Sequence, residues 1–146
     1  MLFRSYRQTV GRNCNLMLGM VVDTRGLVPE EDARQLRALG TRIREAYAHP
    51  VAETHGAGWD LTLPIPAGQV VRDVLLMEDI RAGERIREFT LEGFLGEQWR
   101  PLARGCCVGH KRLVAIPSLQ PSRLRLTIHR ASDIPNVRRF AAFTGS

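Results

Sequence analysis

The chain has 146 residues, 44% of them hydrophobic and 25% charged, which suits one domain or a small domain plus a fragment. A complete (β/α)8 barrel, at about 250 residues, does not fit. Wholesale disorder is excluded by the hydrophobic content, and the longest uncharged apolar stretch, residues 13–22, reaches only about half the length of a bilayer crossing.

The net charge of +6 invites a nucleic-acid reading that the distribution does not support. Lys111 is the only lysine among 21 basic residues, and no run exceeds two, at Lys111–Arg112 and Arg138–Arg139. No basic tail or patch results, so no nucleic acid is expected as a partner, and no membrane either. Arg4 and Arg7 stand where a secretory signal would place its apolar stretch. Cys14, Cys106 and Cys107 are odd in number and lack any paired spacing with histidine, so neither a disulfide framework nor a metal site is expected.

In chain order, Leu2, Phe3, Tyr6 and Val10 have helical spacing, broken by Gly11 and Asn13. Residues 16–22 (LMLGMVV) then form a continuous apolar run, the pattern of a strand buried on both faces of a parallel sheet, and residues 23–26 make a turn. Residues 29–48 predict a helix. Pro29 suits its first position, Glu30, Glu31 and Asp32 face the positive end of its dipole, and Ala33, Leu36, Gly40, Ile43 and Tyr47 form its buried face. Glu30 and Arg34 have ion-pair spacing, and Gly40 points to a close neighbour. A doubly buried strand needs partners on each side, and nothing else in residues 1–50 supplies them.

From Trp59 the period changes to two. Alternation at Trp59, Leu61 and Leu63, an apolar strand at 70–77, and further strands around Ile86, Trp99, Leu113 and Leu124 predict about seven short strands. The fold class expected is mainly β: a βα fragment followed by an antiparallel β-sandwich or jelly roll. The divisions are a βα unit over 1–50, a linker over 51–57 and a sandwich over 58–146.

These residues carry a resemblance. The stretch VGRNCNLMLGMVVDTRGLVPEEDARQLRALGTRIREAY (residues 10–47) resembles the last strand and helix of the catalytic barrel in α-L-fucosidases of glycoside hydrolase family 29, in the plant and bacterial branch usually active on α-1,3/1,4-linked fucose. Downstream, LLMEDIRAGERIREFTLEG (75–93), Trp99, VGHKRL (108–113) and RLRLTIHRASDIP (123–135) are similar to the sandwich that follows that barrel. One departure stands out: the family's strand usually ends Asn-Ile/Val-Pro/Gly-Pro, where this chain has Gly19-Met20-Val21-Val22.

The resemblance implies that the sandwich is galactose-binding-like and that the βα fragment belongs to a (β/α)8 barrel. It further implies a retaining glycosidase that removes α-linked fucose from glycans, without a cofactor, often in secreted or lysosomal settings. Its nucleophile and acid, two carboxyl groups about 5–5.5 Å apart, lie upstream of every matched motif, so no residue here inherits a catalytic role. The implied partners are a fucosylated glycan, through the missing barrel or on the sandwich, and the remainder of the barrel. The other reading is a non-catalytic carbohydrate-binding or interaction module.

Polar clusters within apolar surroundings are Glu78, Asp79, Arg85, His110, Lys111 and Arg112. As carboxylates and guanidinium groups that pair with vicinal hydroxyls, they would form a sugar-binding rim. As an ion-pair network tying strand ends together, they would be structural, which their place at strand ends favours. Trp59 and Trp99 alternate with core positions and are expected in the core, and His129 in solvent.

Overall fold

The computed structural model describes residues 1–145. Two helices, α1 (Leu2–Gln8) and α2 (Glu30–Tyr47), precede eight strands: β1 (Ala52–Ala57), β2 (Asp60–Pro64), β3 (Val71–Glu78), β4 (Ile86–Leu95), β5 (Gln98–Gly105), β6 (Arg112–Leu119), β7 (Arg123–Ala131) and β8 (Asn136–Phe143). One sheet runs β1-β8-β3-β6 and the other β2-β7-β4-β5, with antiparallel pairing throughout. Strands that alternate between two four-stranded sheets in this order define a jelly-roll sandwich.

The core lies between the sheets. Leu63, Val74, Leu76, Phe89, Leu91, Leu124, Leu126, Ile128, Val137 and Phe140 fill it; they follow the two-residue alternation of their strands, except that an irregularity in β8 brings both Val137 and Phe140 inward. Residues 51–57, read from the sequence as a linker, contain β1, which pairs along β8. Short and mixed in polarity (AETHGA), this edge strand has too weak an alternation to read as one.

The first sheet buries apolar side chains on both faces, which explains the hydrophobic run at residues 74–77 within β3. Val74 and Leu76 point into the sandwich, while Leu75, with Ala141 and Phe143 of β8, points outward beneath Tyr47, Met77 and Leu113. The helices sit there. Phe3 stacks on Tyr47 with ring centres 6.2 Å apart, and Tyr47 meets Phe143 edge-on at 5.5 Å. Arg7 of α1 forms an ion pair with Asp73 of β3, whose side chain is 4% exposed.

Residues 16–22 are not a strand in this structure. They carry no regular secondary structure, and Met17, Val21 and Val22 are exposed at 93%, 80% and 57%. The run has the composition of a doubly buried strand, and no neighbouring strand is there to bury it. For the same reason the expected buried face of α2 is only half covered; Ala46 alone of this helix is buried. Pro29 stands at the N-cap, Arg34 pairs with Glu31 and Arg37 with Glu30, and Gly40 meets only the side chain of Arg44. Trp59, expected in the core, is 45% exposed, because it lies on the β1–β2 turn.

Candidate functional site

The sequence-predicted cluster gathers where the end of β3 meets the β5–β6 loop, but its members do different work. Glu78, 1% exposed, is a structural clamp. Its Oε1 accepts from the backbone N–H groups of Arg85 (2.7 Å) and Ile86 (2.9 Å), and its Oε2 accepts from that of Gly109 (3.0 Å). Three backbone donors occupy the carboxylate, which fixes two loops to one strand end and leaves it unavailable to a ligand.

Asp79 turns the other way. It caps the short 3-10 turn Ile80–Ala82 and pairs with Arg81 at 2.5 Å, and the hydrogen bond from Arg81 brings its carboxyl down to about 2. Arg85 donates to the carbonyl of Ile134 (2.7 Å) and pairs with Asp133. His110 faces Arg138 across 3.3 Å, and with Asp79, Ile80 and Arg81 they line a shallow depression of about 260 Å³. Lys111 points away, donating to the Tyr6 hydroxyl at 3.1 Å over that ring. Arg112 forms a single backbone bridge with Arg12. Separate pairings thus stand in place of the single ion-pair network the sequence suggested.

Asn13, not singled out from the sequence for this role, joins the N-terminal segment to the cluster. At φ 63° its side chain donates to Glu84 (2.8 Å) and accepts from the His110 backbone (2.8 Å), lying flat on Gly109, where any Cβ would collide with it. The Gly11 carbonyl accepts from the Leu113 N–H at 2.7 Å. The matched motifs Gly11-Arg12-Asn13 and VGHKRL therefore meet in space, and the apolar ribbon 16–22 departs from this anchor.

Beside the ribbon, Leu2, Phe3, Leu18, Met20, Leu36 and Leu39 line an open apolar groove of about 490 Å³. Among the described residues no group of three or more histidine, cysteine or acidic side chains could hold a metal. Cys106 and Cys107 are free, and burial with the adjoining Cys106 thiol pushes the Cys107 thiol up.

The chain is thus a jelly roll with a helical pair on one face and an exposed apolar ribbon beside it. No protein-family model matches the chain. A rice protein (Oryza sativa subsp. japonica) assigned as an α-L-fucosidase is 24% identical over 177 residues, spanning 97% of this chain and 34% of its own length. The crystal structure of a protein assigned as an α-L-fucosidase from Bacteroides thetaiotaomicron superposes with a TM-score of 0.95 at 33% identity, over 99% of this chain and 34% of that one. A Ruminococcus gnavus fucosidase of glycoside hydrolase family 29, solved with fucose, has the same fold at 17% identity, with a TM-score of 0.84 over 99% of this chain and 36% of its own. The chain corresponds to the C-terminal part of the α-L-fucosidases of glycoside hydrolase family 29 and spans about a third of the length of the relatives named here.

Proposed function

We propose that this chain serves the hydrolysis of α-linked fucosides on glycans as the C-terminal part of a retaining α-L-fucosidase. In this reading the ribbon 16–22 takes its place as the last barrel strand, α2 covers it from outside, and the jelly roll braces the unit. The nucleophile and the acid come from the barrel portion that the chain does not contain. The observation that carries the reading is the ribbon itself: a run of doubly buried strand composition whose residues 17–22 are exposed, in a chain that matches about a third of its relatives' length.

The two carboxylates of the sequence-predicted cluster support the same reading. Glu78 is saturated by backbone donors and Asp79 by Arg81 and its turn, so neither is free to act as the acid or nucleophile of a pair flanking a glycosidic bond. Residues 1–50 act as the barrel's βα unit, and β1 to β8, residues 52–143, as the sandwich.

The test is turnover of a chromogenic α-L-fucoside. The purified chain alone gives no release above buffer. Mixed with the upstream barrel portion of the B. thetaiotaomicron relative, it restores release. Turnover by the chain alone contradicts the reading.

A further inference from the structure

The outer face of the second sheet, opposite the helices, has an arrangement that the fucosidase reading does not use. Strand register lays its outward side chains out as a grid. Phe94 of β4 stands between Arg123 of β7 and Trp99 of β5. The next row is Thr62, Arg125, Glu92 and Pro101, and the row after it is Asp60, Thr127, Thr90 and Arg104. One end of the face is therefore aromatic, the rest polar.

These side chains are held in place. Phe94 and Trp99 meet edge-on at 5.2 Å between ring centres. Arg125 lies over Trp99 at 4.3 Å and donates to Glu92 Oε2 at 2.8 Å. Thr90, only 8% exposed, shares a hydrogen bond of 2.8 Å with His129. Around them, Glu88, Thr90, Glu92, Pro101, Arg104 and His129 line an open depression of about 390 Å³. Glu88 and Arg104 face it with no hydrogen-bond or ion-pair partner among the described residues.

We propose that this face binds a neutral oligosaccharide, a sugar ring seated in the depression with its hydroxyls on Glu88, Arg104 and His129 and the chain running toward Trp99. Charge selects the ligand class. Arg104, Arg123, Arg125 and Arg130 are interleaved with Asp60, Glu88 and Glu92, so the face carries mixed charge without the single-sign field that holds a polyanion or a polycation. What it offers is planar groups able to make paired hydrogen bonds to vicinal hydroxyls, beside an aromatic edge. The proposal does not depend on the fucosidase reading, since a sandwich can hold glycan whether or not a barrel accompanies it.

Amide chemical shifts of the isotope-labelled chain, titrated with fucosyllactose, lactose and cello-oligosaccharide to about 20 mM, test it at the affinity expected of a shallow site. Shifts centred on Thr90, Glu92, Arg104 and His129, with binding weakened at least fivefold in Arg104→Ala and Glu88→Gln, support it. Both variants alter exposed, unpartnered side chains, and their unchanged spectra elsewhere report an intact fold. No shifts with any of the three sugars, shifts centred on the Asp79–His110 depression, or undiminished binding in both variants would overturn it.

Discussion

Glu78 and Gly109 hold each other twice. The Glu78 N–H donates to the Gly109 carbonyl at 2.8 Å, and the Gly109 N–H donates to the Glu78 carboxylate at 3.0 Å. Gly109 also lies against Asn13, so the clamp reaches from the sandwich into the N-terminal segment. Glu78→Ala would strip acceptors from three backbone donors, one of them that of the buried Ile86. Urea unfolding should show a loss of about 3 kcal/mol, and about half that for Glu78→Gln, which keeps one oxygen. A loss below about 0.5 kcal/mol in the alanine variant would mean water replaces the clamp.

Tyr47 presents the opposite case. Its hydroxyl is buried without a partner among the described residues, and burial, reinforced by the charge of Asp73, pushes the phenol up to about 12. Tyr47→Phe removes an unsatisfied group of the same shape, so stability should rise by about 1 kcal/mol in urea unfolding. The pH dependence follows. A folded-state value above the unfolded 10.0 means the unfolded phenol loses its proton first. The contribution of neutral Tyr47 is therefore complete below pH 10 and disappears as pH rises to about 12. Tyr47→Phe should lack that alkaline decline.

The Arg7–Asp73 pair fastens α1 to the sheet. Asp73 is 4% exposed on its side chain and Arg7 29%. Arg7→Ala leaves a nearly buried carboxylate alone, and a loss of about 3 kcal/mol is expected. The double variant with Asp73→Asn should recover part of it, so a double-mutant cycle yields coupling well above that of a surface pair. Additive losses would show that the pair contributes nothing beyond its separate members.

Asp79 carries the acid-side prediction. Hydrogen bonds from Arg81 place its folded value at about 2 against 3.8 unfolded. Below 3.8 the unfolded chain binds the proton first, so the stabilisation is present above pH 4 and is lost as pH falls toward 2. An NMR titration should find the Asp79 midpoint near 2, and Asp79→Asn should abolish that part of the acid sensitivity. A midpoint at the ordinary aspartate value would remove the pairing in solution.

The parts of the fold that depend on local pattern were legible before any coordinates. Leu124, Leu126 and Ile128 alternate because one face of β7 is core, and the acids at 30–32 mark the start of α2 because a helix N-terminus favours them. What was hidden depends on distant partners. β1 is a strand because β8 lies beside it, not because AETHGA favours one. Trp59 alternates like a core residue but falls on a turn. In the polar cluster, the sequence brought Glu78 and the residues after Gly109 to attention, while Asn13 read only as a helix breaker within a matched motif: its bridging role exists because the loops at 84 and 109 converge on it. The ribbon 16–22 is the instructive case, since its composition describes a sheet that this chain does not form.

Hydrogen exchange across residues 16–22 tests that central point most directly. In the isolated chain these amides should exchange at nearly the unprotected rate while those of β4 and β7 remain strongly protected, and adding the complementary barrel portion should slow the ribbon's exchange by at least about 100-fold. Strong protection of residues 16–22 in the monomeric chain alone would show that the ribbon already has its partners, and would contradict the account.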